Sequence, residues 1–378
     1  MKQKNSFSGQ IGFVFAAAGS AVGVGNLWRF PYLAAKDGGG LFLIIYLVLV
    51  LTVGFVLLTT DIAIGRKTGK SAIYAYESMR KKWKFLGVIT FLVPVLIMTY
   101  YAVIGGWILR YIVIYLTSSG KQAVADDCFT AFISSPSSVW YGLIFMLLTA
   151  LIVYNGVEEG IERVSKFIMP VLLIMVIGIA IFSLTLKTTL DDGTVRTGLQ
   201  GLKVYMKPDL TGITVGRFLQ ITLDAMSQLF FSLSVSMGIM ITYGSYVKKD
   251  VDLNKAVSQI EIMDTGVAFL AGVMIIPAVF VFSGLDGMSA GPGLMFVSLP
   301  KVFYSMGTVG RVIGILFFVL AGFAALTSCI SVLESITANC MELFHTERKK
   351  TTRVLSVIYL IATAVIALGY SIFYVEVA

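Results

Sequence analysis

Nine stretches of this chain run for about twenty residues or more without a charged side chain, which is the length an α-helix needs to cross a bilayer. They occupy 5–28, 38–60, 85–109, 128–157, 167–186, 225–247, 265–285, 312–333 and 354–375. Such a pattern makes the fold class an all-α polytopic membrane protein. Composition agrees: 57% of residues are hydrophobic and 13% charged, against roughly 25% charged in a soluble domain. A cleaved leader is excluded for residues 11–24, because the apolar run continues into polar, glycine-broken sequence with no convincing cleavage site.

The pattern predicts helices near 10–34, 40–66, 85–118, 138–156, 164–187, 216–247, 256–283, 308–342 and 353–376. With the amino terminus placed in the cytoplasm, 18 of the 29 Lys and Arg residues fall on the cytoplasmic side. They sit mainly in the short loops 66–84, 163–166, 248–255 and 348–353, as the positive-inside rule requires. The net charge of +8 is thereby explained by topology, and its dispersal over several loops excludes a nucleic-acid face. Only Cys128 lies in an expected outside loop, so no disulfide within the chain forms there. The sole histidine, His345, sits in a basic loop with no nucleophile–base or metal constellation around it, which excludes an enzyme.

Inside the first apolar run lies GSAVGVGNLWRFPY (19–32). Each of Gly19, Gly23 and Gly25 costs a helix about 1 kcal/mol relative to alanine. Ser20 and Asn26 add polar groups at membrane depth, where broken backbone is tolerated only beside protein or a cavity. A counterpart opens the second half, in LDAMSQLFFSLSVSMGIMITYGSYV (223–247), where Gln228, Ser232, Ser234 and Ser236 crowd the centre. Interrupted segments at matching positions in two halves point to an inverted-repeat transporter with its site between the breaks. The expected division is one transmembrane domain over 1–378. It comprises a first repeat (8–188, five helices), an extracellular connection (189–215) and a second repeat (216–378, four helices and incomplete).

GSAVGVGNLWRFPY followed by DGGG (37–40) resembles the first-helix signature of the neurotransmitter:sodium symporter family. GIERVSKFIMP (160–170), FFSLS (230–234), ITYGSY (241–246) and AALTSCIS (324–331) are similar to further family blocks in the family order. The resemblance implies a multi-pass protein of the bacterial inner membrane with discontinuous first and sixth helices. It also implies that the last two or three helices of longer members are missing here. The implied function is sodium symport of a hydrophobic or neutral L-amino acid by alternating access. A passive channel or uniporter is a second class, disfavoured because it needs no sodium ligands. A non-transporting fragment or ligand sensor is a third.

Two sodium sites follow from the resemblance. The first comprises Ala21, Asn26, Ser232 and Asp264 with the substrate carboxylate; the second comprises Gly19, Val22, Ala324, Thr327 and Ser328. Hard cations favour such oxygen donors. The alternative for Thr327 and Ser328 is bonding to their own helix or gluing helices together. For the substrate, the backbone at Val24 and Gly25 would meet the carboxylate at the positive end of a helix dipole, aided by Tyr101. Ala21, Phe231, Ser232 and Ser234 would accept from the ammonium. Ile97, Tyr101, Phe231, Met237 and Val332 would surround the side chain near Ser328, although for Ile97 and Val332 alone plain helix packing is the simpler reading.

Arg29 matches an outer-gate arginine, and Glu342 matches the acidic member of an inner gate whose nearest cation is Lys4. Gly160 and Pro170 mark a helix start expected to unwind and admit water to the second sodium site. Asp264 stands where chloride-dependent relatives have asparagine, and Ala268, one turn later, offers no chloride ligand. The expectation is therefore no chloride requirement; whether a proton returns on the carboxyl released from sodium is left open by the sequence.

Overall fold

The computed structural model describes residues 6–118, 120–125, 127–190 and 192–373. The chain opens with α1 (Gln10–Ala21) and α2 (Val24–Lys36), followed by α3 (Gly40–Leu49) and α4 (Phe55–Thr68), which a π turn at Val50–Gly54 joins into one rod. Next come α5 (Ala72–Met79), α6 (Lys84–Thr117), α7 (Cys128–Ile133) and α8 (Ser137–Tyr154). A second π turn, Val157–Glu162, leads into α9 (Arg163–Thr185). The connection that follows holds an antiparallel pair, β1 (Lys187–Thr189) and β2 (Val195–Thr197), and then α10 (Gly198–Met206). The remaining helices are α11 (Val215–Ser232), α12 (Ile239–Gly244), α13 (Leu253–Ser283), α14 (Leu299–Ser305), α15 (Thr308–Phe344) and α16 (Arg348–Leu368).

Among the described residues, seven continuous helical spans are long and apolar enough to cross a membrane, and the bent pair α1–α2 makes an eighth. The ninth expected span, 225–247, is divided between α11 and α12. The expected boundaries hold to within a few residues except at the end, where α16 stops at Leu368 rather than near 376. There the Gly369 N–H folds back onto Val365 and Ile366, and a turn follows.

Two segments that sequence patterning left as connections are built. The expected outside loop carries the β1–β2 pair and α10, capped reciprocally by Thr197 and Gln200. Tyr205 anchors α10 by packing over Gly272 of α13 and donating to the Phe269 carbonyl at 3.1 Å. Residues 284–307 form a π turn at Leu294–Ser298 and then α14. Phe296 of that turn stacks on Phe129 (4.9 Å between ring centroids) and packs against Tyr111, Trp107 and Trp28.

The bundle is built around α1 and α15. Both α1 and α15 are buried over most of their length, whereas α3, α8 and α16 expose wide apolar faces such as Ile44, Leu147 and Ile361. That inversion of the soluble pattern is expected where the outer solvent is lipid.

Candidate functional site

The first break lies at Val22–Gly23, where the axes of α1 and α2 turn through 53°. Val22 leaves helical geometry at ψ 98°, and Gly23 is fully extended. Glycine is needed at 23 for space: a Cβ there would sit 2.9 Å from Ser328 Oγ and 3.3 Å from the Tyr101 hydroxyl. Asn26 closes the start of α2 by accepting the Gly23 N–H at 3.2 Å.

The second break runs from Leu233 to Gly238 between α11 and α12. Ser234, Ser236 and Gly238 all adopt positive φ (52°, 60° and 73°). For the two serines this left-handed backbone is strained, and surrounding contacts must hold it. Asp61 of α4 supplies one of them, accepting the Ser236 N–H at 2.9 Å. Ser234 Oγ supplies another by donating to the Ser20 carbonyl at 3.4 Å, which ties the two breaks together.

Between the breaks, Asn26, Ser232 and Asp264 converge although they come from α2, α11 and α13. Asn26 Nδ2 donates to Asp264 Oδ1 at 2.8 Å, and the Ser232 hydroxyl lies 2.9 Å from both carboxylate oxygens. Asp264 is fully buried, and Asn26 and Ser232 are nearly so. Every oxygen in the cluster suits a hard cation. Ala21 lies at the end of α1 beside them and lines the same cavity.

The second expected set also comes together. Thr327 packs against Gly19, where an added Cβ would sit 3.2 Å from Thr327 Cβ. The Ser328 hydroxyl donates to the carbonyls of Ser20 (3.2 Å) and Val22 (3.5 Å). Thr327 Oγ1 bonds to the Phe323 and Ala324 carbonyls of its own helix, the back-bonded geometry weighed above as the alternative.

Ala21, Ile97, Tyr101, Phe231, Ser232, Ser234, Met237, Ser328 and Val332 all line one central cavity. Its free space is about 30 Å³, so the walls are drawn in around the site and a solute enters only if the elements part. Val24 and Gly25 are buried at the first turn of α2 but do not line it; Phe231 packs on Gly25 at a distance a Cβ would violate. The Tyr101 hydroxyl bridges the Val24 backbone and Ser328.

Sequence reasoning missed Gly23, Ser20, Ser331 and Ile239 as lining residues. The Ser20–Ser331 hydrogen bond (2.7 Å) spans 311 positions, so neither residue announces the other in the chain. It also missed Tyr46, and it noted Gln228 only as one of the polar groups at the second break. Tyr46 is buried beside Ser232 and Asp264, Gln228 is buried one turn before Ser232, and their side-chain polar atoms lack partners.

At the Trp28 end of the bundle, Arg29 donates to Ser227 Oγ at 2.8 Å and to its carbonyl at 3.4 Å. Nearby, Lys36 pairs with Asp224 and Arg217 with Asp37, both at 2.9 Å, coupling α2 to α11. At the opposite end, Glu342 caps α5 by accepting from Ser71 N and Oγ; Lys4 lies outside the described residues. Phe7 is buried against Phe13, Tyr243 and Tyr246, and Ser8 donates to Glu162 through both N–H and hydroxyl. An unexpected buried pair occurs here: Arg348 holds Glu334 with two bonds (2.6 and 2.7 Å) while Tyr246 donates to the same carboxylate at 2.6 Å. The segment expected to unwind is wound in this conformation. Gly160 lies in the π turn before α9, pressed against the Ile152 carbonyl, and Pro170 lies inside α9.

Two broken helices around a buried oxygen-rich cluster and a small central cavity suit a membrane transporter. A model of the sodium:neurotransmitter symporter family matches residues 4–138 and 129–375, and the chain belongs to that family. It is 38% identical over 352 residues to an uncharacterised sodium-dependent transporter of Bacillus subtilis, covering 91% of this chain and 74% of the relative. A sodium-dependent transporter of Methanocaldococcus jannaschii is 32% identical across 99% of this chain and 77% of its own length. The human sodium- and chloride-dependent taurine transporter is 25% identical across 97% and 66%. Among solved structures, MhsT in complex with L-phenylalanine superposes with a TM-score of 0.84 at 36% identity, over 99% of this chain and 83% of MhsT.

Proposed function

We propose that this chain carries a hydrophobic L-amino acid inward by sodium symport, with its amino terminus in the cytoplasm. The observation that carries the reading is the meeting of Asn26, Ser232 and Asp264 beside both helix breaks, directly against a cavity walled by Ile97, Tyr101, Phe231, Met237 and Val332. In this reading Ala21 joins those three around one sodium ion, and Gly19, Val22, Ala324, Thr327 and Ser328 take a second. Sodium is cargo here, and its charge is matched by Asp264 and by the substrate carboxylate. The likeness to a structure holding L-phenylalanine supports an apolar substrate. Met237 narrows the pocket, so aliphatic residues are preferred over tryptophan; Ser236 is exposed and stands outside the cavity lining.

Arg29 and the Trp28–Phe296 contact form the outer closure; Glu342 belongs to the inner one. Opening the inner end unwinds the Gly160–Pro170 segment. Because Asp264 already carries the negative charge beside the first sodium ion, chloride is not required, and the carboxyl returns carrying a proton. The test is uptake of labelled leucine, phenylalanine and glutamate into proteoliposomes, with and without a sodium gradient and with gluconate replacing chloride. Gradient-driven leucine uptake unaffected by gluconate is the expected result. Sodium-independent uptake, or saturable amino acid binding without uptake, would replace symport by a uniporter or a sensor respectively.

A further inference from the structure

A second cavity lies away from the central one and shares no lining residue with it. It is a groove of about 710 Å³ on the flank of the bundle, between the α3–α4 rod and α13, both of membrane-spanning length. Leu47, Leu51, Phe55, Ile262 and Phe269 make its walls apolar, and Leu47, Leu51 and Ile262 expose about half their surface or more.

Three polar side chains interrupt this wall, Ser258, Glu261 and Thr265, and of these Ser258 is satisfied by donating to the Asn254 carbonyl of its own helix. Glu261 is only 5% exposed, and its Oε1 has no hydrogen-bond partner. Thr265, one helical turn later and therefore on the same face, also has a buried hydroxyl without a partner. Glu261 faces the π turn at Gly54, where an added Cβ would lie 3.3 Å from Oε1; the glycine leaves room for the carboxyl. Among the described residues no Lys, Arg or His pairs with Glu261. Its charged neighbour, Asp264, is acidic and already satisfied by Asn26 and Ser232.

A buried carboxyl oxygen without a partner is costly anywhere, and more so where the surroundings are hydrocarbon. Lipid chains have no donor with which to relieve it. We propose that this groove is a binding site for a lipophilic amine that enters from the bilayer. The ammonium donates to the Glu261 carboxylate and the Thr265 hydroxyl, using two of its three donors in a charge-assisted arrangement. The alkyl body lies along Leu47, Leu51, Phe55 and Phe269. An alcohol of the same length lacks the charge, and a fatty acid brings a second negative charge toward Glu261.

The experiment uses the full chain in nanodiscs, with tritiated dodecylamine as the probe and empty discs subtracted for partition into lipid. Expected is a saturable component near one per protein, displaced by unlabelled dodecylamine but not by dodecanol or dodecanoate. Glu261→Gln should weaken it at least about tenfold, and Leu51→Trp, which fills the groove without touching the carboxyl, should abolish it. Should Glu261→Gln fail to fold, Thr265→Val with Leu51→Trp decides the matter, Thr265→Val weakening binding a few-fold. The proposal is overturned by the lack of a saturable component, by equal displacement with dodecanol, or by wild-type binding in both Leu51→Trp and the polar variant. Because the readout is amine binding and not uptake, its failure is distinct from failure of the symport reading.

Discussion

The two helix breaks face each other across one cavity but are made by opposite means. The first takes two residues, keeps φ negative throughout, and is shaped chiefly by local chemistry, Gly23 in extended backbone and Asn26 turning back to its N–H, with Ser328 adding a bond to the Val22 carbonyl from far along the chain. The second takes six residues and needs three left-handed conformations, two of them on serine. Its supports come from far along the chain, with Asp61 holding Ser236 and the Ser20 carbonyl receiving Ser234. A break written locally is rigid and cheap to hold. One held by distant partners stores strain and can rearrange when those partners move, which suits a segment that must respond to what binds beside it.

The largest expected effect would fall on the point both breaks share. Asp264→Ala leaves Asn26 and Ser232 without their common acceptor, and sodium-dependent uptake should fall at least about a hundredfold, consistent with roughly 3 kcal/mol for losing a buried charged partner. Sodium titration of uptake checks it, and retention of wild-type sodium affinity would show that the cluster is merely structural.

Next in size is Asp61→Asn, which weakens the charged acceptor for the Ser236 N–H and tests whether the second break depends on remote support. About 1.5–3 kcal/mol for such a bond corresponds to roughly a ten- to hundredfold loss of substrate affinity. Equilibrium binding of leucine at saturating sodium measures it. Unchanged affinity would mean the serines hold their backbone unaided, and the contrast between the breaks would disappear.

Gly23→Ala probes the first break by sterics, since the new methyl meets Ser328 Oγ and the Tyr101 hydroxyl. A cost of about 1–3 kcal/mol is expected from overpacking, appearing as weaker substrate binding and a lower unfolding temperature. Smallest is Ser236→Gly. Relieving one left-handed serine should stabilise the protein by about 1 kcal/mol in thermal unfolding. A decrease in stability would mean that the strain inferred from φ is absent.

Much of this molecule was legible from residues alone because lipid imposes a simple rule: each span must be apolar and must satisfy its own backbone. Hence the nine runs, the interrupted segments and the all-α class could be read directly, and so could Asn26, Ser232 and Asp264 once the family blocks were recognised. The cover at Leu294–Ser305, the Glu334–Arg348–Tyr246 cluster and the groove polarity at Glu261 and Thr265 were not legible. Phe296, for example, sits in a stretch with no helical period, and its place is set by rings from α6, α7 and α2 that approach only in the folded bundle.

By itself, then, the amino-acid order determined where the chain crosses lipid and where a helix must break, since hydrophobicity and glycine act within a few residues of where they stand. Only the tertiary structure decided which polar groups meet. Ser20 finds Ser331 and Asn26 finds Asp264 across more than two hundred positions, and Glu342 is turned to Ser71 to cap α5. Hydrogen bonds act over about 3 Å, so such pairings exist only after packing has brought the helices together.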